Sequence, residues 1–365
     1  MRLGWRGNPV YGLLAVLPVA VILHYAEAAG LWVFLASGLA IVPLAALMGR
    51  ATECLAARLG SGVGGLLNAT FGNAAELIIA LVALRDEKYA LVKGSLTGSI
   101  IGNALLVLGL ALTLGGVRYR RQTFNRTAAS LGSTLLALAA VGLVIPAMYY
   151  EVFTAEAGPQ ARDAQVRNIS AEIAALLGTV YVLYLLFILR THRHLFAAAS
   201  EAHLEGPGRP PAWGASFSLG VLVAATAGVV VMSEFLVGSL EPACKVLGMS
   251  EVFVGVIVVA IVGNAAEHST AVLVAWKNDL DLSLGIAVGS SIQIALFVAP
   301  VLVFANLALH GQVLDLHFTV METLAVIISI GILHMVAQDG ESNWLEGVML
   351  LTVYAMLAVA FYHLP

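Results

Sequence analysis

Gly72-Asn73-Ala74-Ala75-Glu76 and Gly263-Asn264-Ala265-Ala266-Glu267 are one five-residue sequence written twice, 191 residues apart, each time inside an apolar stretch. A carboxylate at membrane depth is costly, so a chain that places one there twice in the same frame uses it. The match extends outward. Aligned without a gap, 69–99 and 260–290 agree at 11 of 31 positions, among them Ala80/Ala271, Leu91/Leu282, Gly94/Gly285 and the pair Gly98-Ser99/Gly289-Ser290. Apolar composition supplies Ala and Leu matches by chance, but not Asn, Glu and a downstream Gly-Ser at one offset. The pattern reads as an internal duplication.

The surroundings are a membrane protein. Of 365 residues, 60% are hydrophobic and 11% charged, with a mean hydropathy of +0.94, far from any soluble domain. The partner surface is therefore the lipid bilayer. A net charge of -4 over this length excludes nucleic acid as a partner. Runs long enough for the ~20 residues that span hydrocarbon fall near 9–28, 31–49, 62–84, 93–115, 127–148, 170–190, 214–240, 252–276, 283–309, 317–337 and 343–362. The expected fold is all-α and polytopic, with about eleven transmembrane helices.

Lys and Arg orient it. With the N-terminus cytoplasmic, twelve basic residues lie inside and six (Arg85, Lys88, Lys93, Arg162, Arg167, Lys245) outside, as the positive-inside rule requires. Cys54 and Cys244 then fall on opposite faces, so no disulfide joins them. The two motif helices are five spans apart and run in opposite directions. The organisation expected is an extra N-terminal helix (1–28), a first five-helix repeat (29–190), a cytoplasmic linker (191–213) and an inverted second repeat (214–365). Arg2, Arg6 and the apolar run before Ala26-Glu27-Ala28 suggest a signal peptide, but the run exceeds the roughly 7–15 residues of such segments, and a retained span is expected. The linker mixes His192, Arg193, Glu201 and Glu205 with Pro-rich 206–211 and reads as solvated.

On a helix Asn73 and Glu76 share a face, with Ala69 and Gly72 on or beside it, where small residues let other helices approach. If the two motif helices cross there, Glu76 and Glu267 meet in a low-dielectric space. Desolvation and like-charge repulsion favour protonated carboxyls in the empty pair. A hard divalent cation offsets both, so cation in means protons out. Calcium takes six to eight oxygens, and further donors are near: Asn73, Asn264, Ser99, Ser290, Asn103, Gln293 and carbonyls freed where Gly-rich helices break. Oxygen donors suit Ca²⁺ or Mn²⁺ rather than Zn²⁺ or Cu²⁺. His268, next to Glu267, points to a different face and reads as a supporting residue. No resident cofactor is expected.

Asn68 through Leu84 with Gly98-Ser99, and Gly263 through His268 with Lys277-Asn278, Gly289-Ser290 and Gln293, resemble the two signatures of the cation/proton exchangers within the Ca²⁺/cation antiporter superfamily. The resemblance covers nearly the whole chain and implies a Ca²⁺/H⁺ antiporter with Glu76 and Glu267 alternately cation-bound and protonated. Related sodium/calcium exchangers carry a polar or acidic residue four after the Ser in both halves. Here those positions are Asn103 and Ile294, which favours the proton over sodium as counter-ion. The family's linker is often strongly acidic; this one is not.

Other ionisable residues are weighed against this reading. Glu234, in the seventh run, is a candidate for proton coupling, and Glu322 for a relay or gate. Glu53 and Glu241 lie near helix ends, and His334 reads as structural. Asn278-Asp279-Leu280-Asp281 faintly resembles the Mg²⁺-holding Asp pairs of membrane prenyltransferases, but its spacing is short and it has no partner segment; HExxH and GxSxG are absent. The reading is a transporter, not an enzyme. A channel would also use Glu to select cations, but one Glu per inverted half suits alternating access better. Mn²⁺, Na⁺ and Na⁺/Ca²⁺ exchange are the alternatives.

Overall fold

The computed structural model describes residues 9–152, 159–192 and 213–364. Most of the expected linker lies outside the described residues. Among the described residues, nine helices are long and apolar enough to cross a membrane, and a bent pair makes a tenth span. After a shorter apolar helix, α1 (Val10–Tyr25), they are in chain order α2 (Gly30–Leu59), the bent pair α3 (Val63–Phe71) and α4 (Ala74–Arg85), α5 (Tyr89–Arg118), α6 (Arg126–Val152), α7 (Gln160–Thr191), α8 (Ala215–Gly238), α10 (Glu251–Trp276), α11 (Leu280–His310), α12 (Val320–Ala337) and α13 (Trp344–Tyr362). A short α9 (Leu240–Leu247) turns the chain between α8 and α10. The protein is an integral, multi-pass, all-α membrane protein.

Among the described residues the spans number nine or ten, so the expected count of eleven is not reached among them. At about 1.5 Å per residue α1 extends roughly 24 Å, short of a ~30 Å hydrocarbon core. Two spans run about ten residues beyond their apolar runs, because helix geometry continues into polar sequence that leaves the bilayer. These are Arg50–Leu59 at the end of α2 and Gln160–Arg167 at the start of α7.

Successive spans cross alternately and define two faces. One carries the connection from Arg85 to Tyr89, α9 and the loop from Gly311 to Thr319; it is called the Arg85 face. The other carries the ends of α5 and α10 and is called the Arg118 face. On the Arg118 face a two-residue antiparallel ribbon, Gln122–Thr123 (β1) with Glu341–Ser342 (β2), clasps a loop of one half to a loop of the other. Free Cys54 sits late in α2, towards the Arg118 face, and free Cys244 lies in α9 on the Arg85 face.

Lipid and protein claim different helix sides. Leu138, Val141 and Ile145 on α6 are exposed while Leu136, Ala139 and Leu143 are buried, the outward set being the lipid belt. Some buried hydroxyls are satisfied within their own helices: Ser291 donates to the Ala287 carbonyl at 3.0 Å and Ser37 to that of Val33 at 2.6 Å. α2 lies along α8, α4 beside α8, and the first half of α5 against the start of α10, so each half packs mainly on the other.

The repeat is deeper than its sequence identity. α5 contains a π turn at Gly102–Val107 and α11 one at Ile294–Val298, and a shift of 191 residues carries Asn103–Val107 onto the second. Both end eight residues after the repeated Ser, at Val107 and Val298. A π turn inserts one residue and rotates all that follows relative to what precedes, a device found often at functional sites.

Candidate functional site

The site forms where the α3/α4 break meets α10. Gly72 and Asn73 separate α3 from α4 with a 44° bend, so the first motif sits at a helix start and Glu76 in its first turn. The second motif lies inside continuous helix, Ala260–Trp276, which follows a π turn at Val254–Val259. The two cross reciprocally. A Cβ added to Gly263 would lie 3.0 Å from Glu76 Cγ and 3.7 Å from its Oε1; one added to Gly72 would lie 3.7 Å from Glu267 Oε1 and 3.2 Å from Gln293 Oε1. Gly263 makes room for the Glu76 side chain, whereas at Gly72 the tight neighbours are the Asn68 carbonyl at 2.9 Å and Gln293 Oε1 at 3.2 Å, with the Glu267 carboxylate at ordinary contact distance.

Around the pair runs one polar network. Ser290 Oγ donates to Asn73 Oδ1 at 2.8 Å, Asn73 Nδ2 donates to Gln293 Oε1, and Asn264 Nδ2 donates to Ser99 Oγ at 2.9 Å. Asn103 Nδ2 donates to Ser290 Oγ at 3.1 Å, and His268 Nε2 lies 3.2 Å from Asn103 Oδ1. The structure therefore brings together Glu76, Glu267, Asn73, Asn264, Ser99, Ser290, Asn103 and Gln293, with His268 one step behind. Glu76 Oε2 and Glu267 Oε2 are buried and have no hydrogen-bond partner among the described residues. Two such oxygens in a low-dielectric space call for protons or a cation. Among the described residues no cluster of three His, Cys, Asp or Glu forms a metal site elsewhere.

A cavity of about 430 Å³ reaches the network from one side. Its walls include Asn68, Phe71, Gly72, Ala75, Gly263, Ala266, Glu267, Ser269, Thr270, Gly289, Ser290 and Gln293, and its outer part includes Tyr11, Arg50 and Glu53. These outer groups lie on the Arg118 face. Glu267 lines the cavity and Glu76 does not. On the opposite side the helices close on each other: a Cβ at Gly94 would lie 3.3 Å from Gly255 Cα, and one at Gly98 only 2.2 Å from the Val256 carbonyl oxygen. Gly289, the repeat counterpart of Gly98, has nothing within 4 Å.

Glu234 is elsewhere. Its carboxylate accepts from Arg85 Nη1 at 2.9 Å at the far end of α4, about 13 Å along the helix from Glu76, and the pair is half-exposed. The seventh apolar run looks uniform in sequence, and nothing in it signals that Glu234 has a cation waiting at the end of another span. Glu322 is buried, but it is an N-terminal capping residue of α12, accepting from Thr319 N, Thr319 Oγ1 and Thr97 Oγ1. Asp279 accepts from Leu282 N at the start of α11, Asp281 accepts from Asn125 N, and His334 meets Ser133 at 2.9 Å, so all three have structural partners. Sequence reasoning passed over Asn68, Ser269, Thr270 and Glu53 as cavity groups and over Tyr181, whose hydroxyl donates to the Ala69 carbonyl at 2.9 Å just before the break. Helical spacing from Glu76 could have flagged Asn68, two turns earlier; Tyr181 carries no such signal.

Similarity to known proteins agrees with the fold. A family model described as sodium/calcium exchanger protein matches residues 29–190 and 217–363. A Ca²⁺/H⁺ antiporter of Synechocystis is 45% identical over 97% of this chain and 96% of its own length. The Ca²⁺/H⁺ antiporter ChaA of Bacillus subtilis is 44% identical over 88% of this chain and 89% of its own. Among solved structures, native YfkE superposes with a TM-score of 0.81 at 39% identity, covering 97% of this chain and 100% of that one.

Proposed function

The chain belongs to the sodium/calcium exchanger family, and from that premise we propose that it is a secondary active transporter exchanging Ca²⁺ for H⁺ by alternating access. The observation that carries this reading is the reciprocal crossing of two carboxylates with orphaned buried oxygens at the inner end of a one-sided cavity. Glu76 and Glu267 hold protons when the site is empty of metal and Ca²⁺ when it is loaded. Asn73, Asn264, Ser99, Ser290, Asn103 and Gln293 supply or orient the remaining oxygens. Their hydrogen bonds to one another keep these donors in place while the occupant changes.

The pair accounts for a local exchange of two protons per Ca²⁺, since two carboxylate charges balance one divalent cation. The exchange unit is the two repeats, 29–190 and 214–365, joined by 191–213, with 1–28 as an extra N-terminal segment whose helix Val10–Tyr25 packs against the first repeat. The N-terminus is cytoplasmic, which makes the Arg118 face the inner one and the cavity open to the cytoplasm; the excess of Lys and Arg there supports this. In a prokaryote the membrane is the plasma membrane. With Ile294 where a further polar ligand would stand, Glu76 and Glu267 are the acids that meet at the crossing among the described residues, Glu53 lying in the outer cavity, which favours proton over sodium coupling.

Everted vesicles test the whole reading. Uptake of ⁴⁵Ca²⁺ is expected only with an imposed proton gradient, and purified protein is expected to release about two protons per Ca²⁺ bound. Uptake down a calcium gradient alone, insensitive to pH, would mark a channel.

A further inference from the structure

Three cations of the first half meet three acids of the second half on the Arg85 face. Arg85 Nη1 lies 2.9 Å from Glu234, Lys88 Nζ 3.1 Å from Glu251, and Lys93 pairs with Asp315 while also donating to the His317 carbonyl at 3.0 Å. The last two pairs are partly buried, Lys93 being 15% exposed. They join the start of α5 to the start of α10 and to the loop before α12. Those are the elements whose backbones touch at Gly94/Gly255 and Gly98/Val256 to shut this side of the site.

The 191-residue offset supplies an internal control. It carries Arg85, Lys88 and Lys93 onto Trp276, Asp279 and Leu284, and carries Glu234, Glu251 and Asp315 back onto Pro43, Gly60 and Phe124. None of the three counterpart pairs can attract by charge. The side with these three pairs is closed; the Arg118 face, whose cross-half pair Arg121–Glu341 sits out on the exposed ribbon, holds the cavity.

We propose that Lys88–Glu251 and Lys93–Asp315, with Arg85–Glu234 at the rim, form an electrostatic latch between the halves. It holds the Arg85 face shut and biases the protein toward the state open on the Arg118 face. An exchanger built from near-equivalent halves would populate its two open states comparably; unequal charge at equivalent positions tips that balance. The latch rests on alternating access for its purpose but not for its detection.

Spin labels at Ala90→Cys on α5 and Val246→Cys on α9, in full-length protein with Cys54 and Cys244 replaced by Ala, report the Arg85 face in nanodiscs by pulsed electron resonance. A short distance is expected to dominate. Neutralising Lys88→Gln with Lys93→Gln is expected to add a longer distance, shifting the population ratio by about threefold per pair. The swap Lys88→Glu with Glu251→Lys should bring the short distance back. Raising salt from about 0.1 to 1 M, which cuts the screening length from ~10 to ~3 Å, should act like neutralisation without any substitution in the latch. Lys277→Gln on the other face should leave the distribution unchanged. A distribution that moves neither with neutralisation nor with salt overturns the latch, whatever the vesicles transport. If the distances respond and the vesicles show no proton-driven uptake, the latch stands and the exchange reading falls.

Discussion

The two copies of Gly-Asn-Ala-Ala-Glu share every residue and differ in backbone. The first stands at a break, with Asn73 capping position and Glu76 in the opening turn of α4; the second runs through unbroken α10, one turn after a π segment. Glu267 faces a cavity, Glu76 a closed interface. Identical sequence therefore does not fix identical geometry here. The difference resides in how the flanking helices pack, and packing is what an alternating mechanism must exchange between halves.

Removing either carboxylate is the strongest way to break the comparison. Glu76→Gln and Glu267→Gln are each expected to lower proton-driven ⁴⁵Ca²⁺ uptake by about 100-fold or more, since a divalent cation loses half its compensating charge. A copy that tolerates the change would show that the two are not one site. Next comes accessibility. Thr270 lines the cavity and its repeat counterpart Ile79 is buried, so Thr270→Cys is expected to react with a membrane-impermeant thiol reagent about tenfold or more faster than Ile79→Cys. Equal rates would erase the one-sidedness.

Smaller effects sharpen the picture. In Gly72→Ala the new methyl meets the Asn68 carbonyl at 2.9 Å, whereas in Gly263→Ala it meets the Glu76 side chain at 3.0 Å. A backbone carbonyl cannot swing aside, so Gly72→Ala is expected to cost about 1–3 kcal/mol of stability in a detergent melt. Gly263→Ala is expected to cost less stability and to act mainly on Ca²⁺ affinity. Tyr181→Phe, which strips the Ala69 carbonyl of its partner beside the break, should cost about 1 kcal/mol and leave Ca²⁺ binding in place.

Much of this was legible in the chain. Apolar runs of about 20 residues gave the spans because nothing else in a bilayer satisfies the backbone. The offset of 191 named Glu76, Glu267, Ser99 and Ser290 together, and helical spacing added Asn73 and Asn264. What stayed hidden depends on through-space neighbours. Glu234 and Glu322 read in sequence as candidates for a proton relay or gate; in the structure Arg85, 149 positions away in sequence, meets Glu234, and Thr319 and Thr97 take up the oxygens of Glu322. The break at Gly72 is silent too, since the same five letters stay helical in α10. Helix one proved shorter than its apolar run because it stops at Tyr25, where the chain turns through residues 26–28 with Glu27 at φ 51°.

The shared π turn speaks to history. A one-residue insertion widens a helix at a cost, and finding it at Asn103–Val107 and again 191 residues later at Ile294–Val298 makes two independent insertions a needless coincidence. The widened turn is a common property of the two halves, unlike the π turn at Val254–Val259, whose counterpart 63–68 stays α-helical. Asn103 and Ile294, unlike side chains at equivalent places on that bulge, mark where the two halves offer an ion different chemistry.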